Sequence, residues 1–438
     1  MRFTTEPMVG PITATLRVPG DKSISHRAVL FSAMAEGTSH ATGVLDSADV
    51  RRSIEAVEML GATVVADETG PAELALTITG WGGKGPTSPG APIDAGNSGT
   101  TARLLVGMLA GWPGVEATIV GDPSLSSRPM DRIIDPLRSM GASIESADGR
   151  LPITIHGTQL HGASIQSPVA SAQVKSALLL AGLRAEGTVE VFEPAQSRAH
   201  PELMLPAFGI EVQANRKVHG CRVTGPAVPV AADVAVPGDP SSAAFWLAAG
   251  ALVPGSNVTI EGVSLNETRV GFLRAIERMG CSTQARLTGS AGMEFVGDVE
   301  LRSDAIGPIR ITQDLVPALI DELPMLAVVA AHCADVSRLE GIAELRVKES
   351  DRLAAIADGL TALGVTVRDG EDWLEIHGTA GEPFAPAELD SLGDHRLAMA
   401  WAIAGLAASG PLVIEGFEAV DVSYPHFAED LGRLRTGS

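Results

Sequence analysis

The phrase Pro19-Gly20-Asp21-Lys22-Ser23-Ile24-Ser25-His26-Arg27 runs into Ala28, Leu30, Phe31 and Met34 at helical spacing, and Gly37 ends the run. That spacing predicts a helix whose first turns carry Lys22, Ser23 and Arg27. Free N–H groups and the helix dipole favour an anion at such a terminus. Ser23 and Arg27, four residues apart, share a face, so a phosphate or carboxylate suits the segment. It is not a Walker loop, because the Gly-x-x-x-x-Gly-Lys-Ser/Thr spacing is missing. A glycine turn with a serine cap and solvated bases accounts for the same residues.

Further phrases have the same build. Asp94-Ala95-Gly96-Asn97-Ser98-Gly99-Thr100-Thr101 sets small polar residues before an apolar helix at 104–110, where the backbone can approach a ligand closely; a loop with a helix cap explains it equally. Arg128, on the Pro-bounded stretch 121–129, can clamp a carboxylate or phosphate with two bonds or be a plain surface arginine. Ser171-Ala172-Gln173-Val174-Lys175 opens an apolar helix at 177–183, and Ser197-Arg198 precedes another helical pattern. Serine and glutamine side chains suit the hydroxyls of a polyol, and Ser171 also reads as an N-cap.

Asp321 and Glu322 stand in an apolar stretch that runs to Ala331. An apolar neighbourhood raises a carboxylate pKa, which suits a general base; the rival reading is capping of a helix that starts at Pro324. Lys348-Glu349-Ser350-Asp351-Arg352 packs base, acid and base into one turn, either for chemistry or as i,i+4 charge pairing. Arg396, in Asp394-His395-Arg396, begins a helix against the dipole unless an anion is there. No His-Glu-x-x-His, acidic cluster or Cys/His set points to a metal, and no Gly-x-Ser-x-Gly points to a serine hydrolase.

A recurring pattern positions these tips. An amphipathic helix, a glycine and a β-branched stretch recur at Gly61, Gly141, Gly209, Gly280, Gly364 and Gly432, each read as the left-handed residue that ends a helix. Val18-Pro19-Gly20-Asp21 returns 218 residues later as Val236-Pro237-Gly238-Asp239. Two α/β halves of three similar units follow, with a discontinuous first domain of residues 1–20 plus 237–438 and a second of residues 21–236. Helix-glycine-strand is also general α/β grammar.

Composition narrows the partners. The 438 residues carry 53 acids against 32 bases, a net charge of −21 that argues against nucleic acid or an anionic membrane as the main partner. Only five of those bases are lysines: Lys22, Lys84, Lys175, Lys217 and Lys348. Cys221, Cys281 and Cys333 are too scattered for a disulfide framework or zinc site. Residues 1–10 lack the basic-then-apolar order of a signal peptide, and the uncharged runs 240–260 and 397–414 are broken by glycine and proline, so a cytoplasmic location is expected.

PGDKSISHR, GNSGTTAR, GDPSLSSRPM, SAQVKSALLLAGL, VKESDRL and DHRLAMA, in this order, resemble the 5-enolpyruvylshikimate-3-phosphate synthases across nearly the whole chain. The resemblance implies an α/β fold: a two-domain inside-out α/β barrel, three βαβαββ units per domain, with the active site in the cleft between domains. It implies a monomer without cofactor or metal that moves the enolpyruvyl group of phosphoenolpyruvate onto shikimate 3-phosphate. By resemblance, shikimate 3-phosphate is held by Lys22, Ser23, Arg27, Ser171, Ala172, Gln173, Arg198, Asp321 and Lys348. Phosphoenolpyruvate is held by Lys22, Asn97, Gly99, Arg128, Gln173, Arg352 and Arg396. Asp321 takes the hydroxyl proton, and Glu349 moves the proton at the methylene carbon, with Lys22 as a contributor.

Gly99 stands where the family's competition with glyphosate is decided, so sensitivity is expected. One departure is Asp421-Val422-Ser423-Tyr424-Pro425, which has no base where many members carry a lysine. Ala172 and the Arg198 segment match the divergent branch that also lacks that lysine. The related transferase that acts on UDP-N-acetylglucosamine has Lys-Asn in the first motif and a cysteine on the arginine loop, whereas this chain has Lys22-Ser23 and a cysteine-free 121–129. A non-catalytic anion clamp is the alternative of another class, and Asp321 and Glu349 argue against it.

Overall fold

The computed structural model describes residues 1–292 and 294–436. It divides into two compact units, one of Met1–Pro19, Pro237–Ser290 and Phe295–Ser438, the other of Gly20–Val236 with Ala291–Glu294. Over the described residues the chain is mixed α/β with six small sheets. Among the described residues no helix is long and apolar enough to cross a membrane.

One wiring rule generates five of the sheets. In the sheet of Ile93–Asp94, Glu116–Val120, Ser143–Ala147 and Arg150–His156, the first strand lies parallel to the second, the second pairs antiparallel with the last, and the last forms a hairpin with the third. A helix connects first strand to second and another connects second to third, as parallel pairing requires. The same order returns in the other four-stranded sheets, whereas the sixth is cut to three strands, Glu388–Asp390, Leu412–Glu415 and Arg2–Thr5.

At the two Val-Pro-Gly-Asp phrases the chain exchanges a strand. Thr13–Arg17 leads into the helix Lys22–Met34 but pairs with Asn257–Ser264. Val234–Ala235 leads into the helix Pro240–Leu252 but pairs with Thr38–Leu45. Each unit thereby receives the first strand of one of its sheets from the segment that precedes the other unit's first helix.

Each unit buries three helices whose sequences are apolar nearly all round. In one these are Lys22–Met34, Gly99–Ala110 and Ala172–Gly182, and in the other Pro240–Leu252, Leu323–His332 and His395–Ala404. Amphipathic helices such as Ala48–Met59 and Arg352–Ala362 cover them. Packing is close enough that a Cβ on Gly107 would lie 2.1 Å from the Ala177 carbonyl oxygen, so glycine is required where those two helices cross.

Gly61, Gly141, Gly209, Gly280 and Gly364 all have positive φ at the end of a helical segment. Gly432 does not end one. It lies inside the helix Phe427–Thr436, so the sixth repeat closes without the glycine cap expected there.

Candidate active site

The apolar inner helices have polar first turns, and ten of the fifteen candidate residues sit on or just before them; Arg128, Arg198, Lys348, Glu349 and Arg352 lie elsewhere. In the Gly20–Val236 unit, Asp21 rather than a serine caps the first inner helix, accepting from the Ile24 N–H at 2.9 Å. Lys22 reaches Asp49 at 3.1 Å. Arg27 is buried and its guanidinium donates to the Ser23 carbonyl (2.9 Å), to Ser176 Oγ (2.7 Å) and, at 3.5 Å, to the Ala172 carbonyl. The first-turn residues of two inner helices are thus held by one arginine.

At the second inner helix, Ser98 caps through the Thr101 N–H at 3.2 Å. Arg128 donates to Asn97 Oδ1 at 2.6 Å and to Ser124 Oγ at 3.2 Å; it is buried, which excludes the plain surface reading. Gln173 is held from both ends: Arg103 donates to its Oε1 at 2.7 Å, and its amide donates to Thr100 Oγ1 at 2.9 Å. Ser171 caps the third inner helix through the Val174 N–H, 3.4 Å away. Arg198 lies half-buried in the loop before His200–Met204.

Behind these tips a buried relay, His26 Nδ1 to Ser53 Oγ to Thr101 Oγ1 to Ser98 Oγ, ties three helices with 2.8 Å bonds. Burial, with Lys22 and Arg27 adding to it, holds His26 well below the ordinary 6.5. A histidine kept neutral in the fold protonates first in the unfolded chain. Stability should therefore be flat above about pH 6.5 and fall as pH drops below it, by up to about 1.4 kcal/mol per pH unit from this group. Replacing His26 with Gln should flatten that part of the curve. Denaturant unfolding between pH 5 and 8 measures this, and an unchanged slope in the Gln variant would remove His26 as the cause.

In the other unit the centre is Arg352, fully buried at the first position of its helix. It donates to Asp394 at 2.7 and 3.2 Å, to Glu349 at 2.6 Å and to Asp321 at 3.3 Å. Burial works against its charge, but Asp394, Glu349 and Asp321 outweigh it and hold the guanidinium above its ordinary value. Arg396 lies 3.6 Å from the Asp321 carboxylate and donates to the Asp321 carbonyl at 3.2 Å. Asp394 caps the Arg396 helix through the Arg396 N–H at 2.9 Å.

Three readings change here. Asp321 was expected to act as a base because its surroundings are apolar, but its carboxylate lies 3.3 Å from the Arg352 guanidinium and 3.6 Å from that of Arg396. Capping by Glu322 is not realised; its Oε1 instead accepts from Ser241 Oγ. Lys348 and Arg352 do not form an i,i+4 pair, since Lys348 is extended and the helix begins at Arg352. The Lys348 ammonium makes no hydrogen bond or ion pair within 4 Å among the described residues. Burial lowers its pKa, against the pull of Asp321 and Glu344.

The profile of the EPSP synthase (3-phosphoshikimate 1-carboxyvinyltransferase) family matches residues 8–431. The chain belongs to that family. It is 45% identical over 431 residues to the 3-phosphoshikimate 1-carboxyvinyltransferase of Parasynechococcus marenigrum, covering 97% of this chain and 96% of that one. It is 46% identical over 435 residues to the enzyme of that name from Halorhodospira halophila, covering 98% and 95%. A solved EPSP synthase from Acinetobacter baumannii superposes with a TM-score of 0.85 at 40% identity, over 99% of this chain and 98% of that one. The enolpyruvyl transferase NikO from Streptomyces tendae shares the fold alone, with a TM-score of 0.78 at 18% identity over 99% and 97%.

Within the two units, several residues that hold the candidates were not among those expected from sequence. Asp49, Asp394 and Glu193 are carboxylates that hold Lys22, Arg352 and the Ser171 loop. Arg103 was within reach, because it ends the family-like phrase GNSGTTAR four residues after Gly99 and so shares its helix face. The base-free stretch near Val422 is packing: buried Tyr424 donates to Asp430 at 2.7 Å and accepts from Trp246 Nε1 at 3.1 Å.

Proposed function

We propose that this chain transfers the enolpyruvyl group of phosphoenolpyruvate to the 5-hydroxyl of shikimate 3-phosphate, releasing phosphate, in the shikimate route to aromatic amino acids. The observation that carries the residue assignment is the Asp321 carboxylate set between Arg352 and Arg396. In this reading, Lys22, Ser23, Arg27, Ser171, Ala172, Gln173, Arg198 and Lys348 hold shikimate 3-phosphate. Lys22, Asn97, Gly99, Arg128, Gln173, Arg352 and Arg396 hold phosphoenolpyruvate, and Arg352 and Arg396 exchange carboxylate partners for the anions of the substrate. Asp321, relieved of those arginines, takes the hydroxyl proton as the oxygen bonds to the enol carbon. Glu349, with Lys22, delivers a proton to the methylene and removes one from the resulting methyl as phosphate departs. Arginines and lysines neutralise the charge that builds on the tetrahedral ketal phosphate. The enzyme works as a cytoplasmic monomer on small molecules.

Phosphate release with phosphoenolpyruvate and shikimate 3-phosphate, and none with UDP-N-acetylglucosamine in its place, is the expected result. Release with the sugar nucleotide alone would transfer the reading to the related transferase, and release with neither would leave an anion clamp.

Gly99 offers a graded test. A methyl group there would stand 2.6 Å from Arg103 Nη1 and 3.4 Å from Arg128 Nη1, so Arg103 must swing away and release Gln173. Without that charge-assisted bond Gln173 is no longer fixed in place, and the KM for phosphoenolpyruvate should rise by about tenfold. The Gly99→Ala variant should show that rise, with a smaller one for shikimate 3-phosphate because Gln173 is assigned to both substrates, and inhibition by glyphosate should weaken in parallel. Unchanged inhibition would remove Gly99 from the site.

A further inference from the structure

Lys175 is one of only five lysines and the only residue of the SAQVKSALLLAGL phrase that brings a full charge into an apolar helix. Its side chain is 2% exposed, and its ammonium lies 2.7 Å from Glu202 and 3.1 Å from Glu193, whose side chains are 9% and 1% exposed. Burial works against that charge, but Glu202 and Glu193 outweigh it and hold the ammonium above its ordinary value. The neighbouring Cys221 thiol, pushed up to about 12 by burial, stays protonated and adds no charge.

A buried ion triad is expensive to build and is weak evidence for stability as such, since well-packed apolar side chains do as well. What distinguishes this one is where its bonds lead. Glu193 follows the strand Ala185–Phe192 and uses both carboxylate oxygens on separate segments: Oε1 accepts from the Ser171 N–H at 2.9 Å, while Oε2 accepts from Ser197 Oγ at 2.8 Å. Its own N–H is fixed on the His219 carbonyl at 3.0 Å. One carboxylate therefore joins the cap of the Ala172–Gly182 helix, the loop that carries Arg198, and Lys175 one turn inside that helix. Glu202, on the helix that follows Arg198, closes the ring from the other side.

We infer that Glu193, Lys175 and Glu202 are positioning residues for shikimate 3-phosphate: a buried clamp that holds the Ser171-Ala172-Gln173 turn and the Ser197-Arg198 loop at a fixed separation, so that the ligand does not have to order them. This rests on the substrate assignment above. Preorganisation of this kind appears in the affinity for shikimate 3-phosphate, and only weakly in that for phosphoenolpyruvate, because the one residue of these segments assigned to it, Gln173, is also held by Arg103 and Thr100.

The test is the Glu193→Gln variant. A carboxamide has one acceptor oxygen, so its NH2 must face either the Ser171 N–H or the Lys175 ammonium, and either a hydrogen bond or the ion pair is lost whichever way it turns. Lys175 and Glu202 remain as a neutral pair. The expected result is a KM for shikimate 3-phosphate raised at least fivefold, with the KM for phosphoenolpyruvate within twofold and kcat within threefold. Should Glu193→Gln give no folded protein, Glu193→Asp decides. It keeps the charge for Lys175 but is one methylene too short to span both segments, and the same split is expected. A folded variant with the shikimate 3-phosphate KM unmoved, or with both KM values raised alike, overturns the inference. A wild-type enzyme inactive with shikimate 3-phosphate would instead overturn the substrate assignment.

Discussion

Phosphate release by the Asp321→Asn variant should be slower by roughly 10³-fold, within the 10²–10⁴ range that removal of a general base typically costs. Asparagine keeps the size and the oxygen that Arg352 Nη1 reaches at 3.3 Å, while its NH2 replaces the oxygen that lies 3.6 Å from Arg396. It cannot take a proton. The loss should therefore fall on kcat, with both KM values within about threefold, as for an interaction made only in the transition state. The Ala variant should lose at least as much turnover and also lower the melting temperature, because Arg352 and Arg396 lose a carboxylate each. Single-turnover measurements with both substrates separate the two effects. Turnover of the Asn variant within tenfold of the parent would falsify the assignment of Asp321 as the base.

How far this site could be read from sequence depends on the reach of each interaction. The helix starts at Lys22, Gly99 and Ala172 were legible because capping and apolar periodicity act within a few residues. The duplicated Val-Pro-Gly-Asp phrase exposed the twofold repeat, but not what happens there. That Thr13–Arg17 pairs with a strand more than two hundred residues away is a tertiary choice that no local pattern records. Gly432 shows the opposite failure. A helix-glycine-strand rhythm kept over five repeats was extended to a sixth, where the glycine lies inside a helix.

The charges divide in the same way. Arginines and lysines at helix starts stand out in an acidic chain, since they oppose the dipole. Their partners do not. Asp49, Glu193, Glu202 and Asp394 are ordinary acids among 53, and only the fold brings them onto Lys22, Lys175 and Arg352. Asp321 was found for a reason the structure does not support. Its apolar sequence neighbours form the buried side of a helix, while its carboxylate faces guanidiniums from elsewhere in the chain.

Arg352 carries the largest stability effect. Its Nε, Nη1 and Nη2 serve three carboxylates, and its own exposure is nil. Arg352→Met fills the volume but leaves Asp394, Glu349 and Asp321 facing one another without their common cation. Breaking a buried ion network by removing one partner costs about 3–5 kcal/mol, a large share of a typical 5–15 kcal/mol total. For a unit of this size that corresponds to a fall of roughly 10 °C in melting temperature. Arg352→Lys restores one positive charge but, as a point donor, cannot span three carboxylates. It should recover about half of the lost stability while the KM for phosphoenolpyruvate stays raised at least tenfold. Thermal unfolding at pH 7, with kinetics on the Lys variant, checks both parts. A Met variant as stable as the parent at pH 7 would mean that the three carboxylates do not depend on Arg352 and that their convergence on it has another cause.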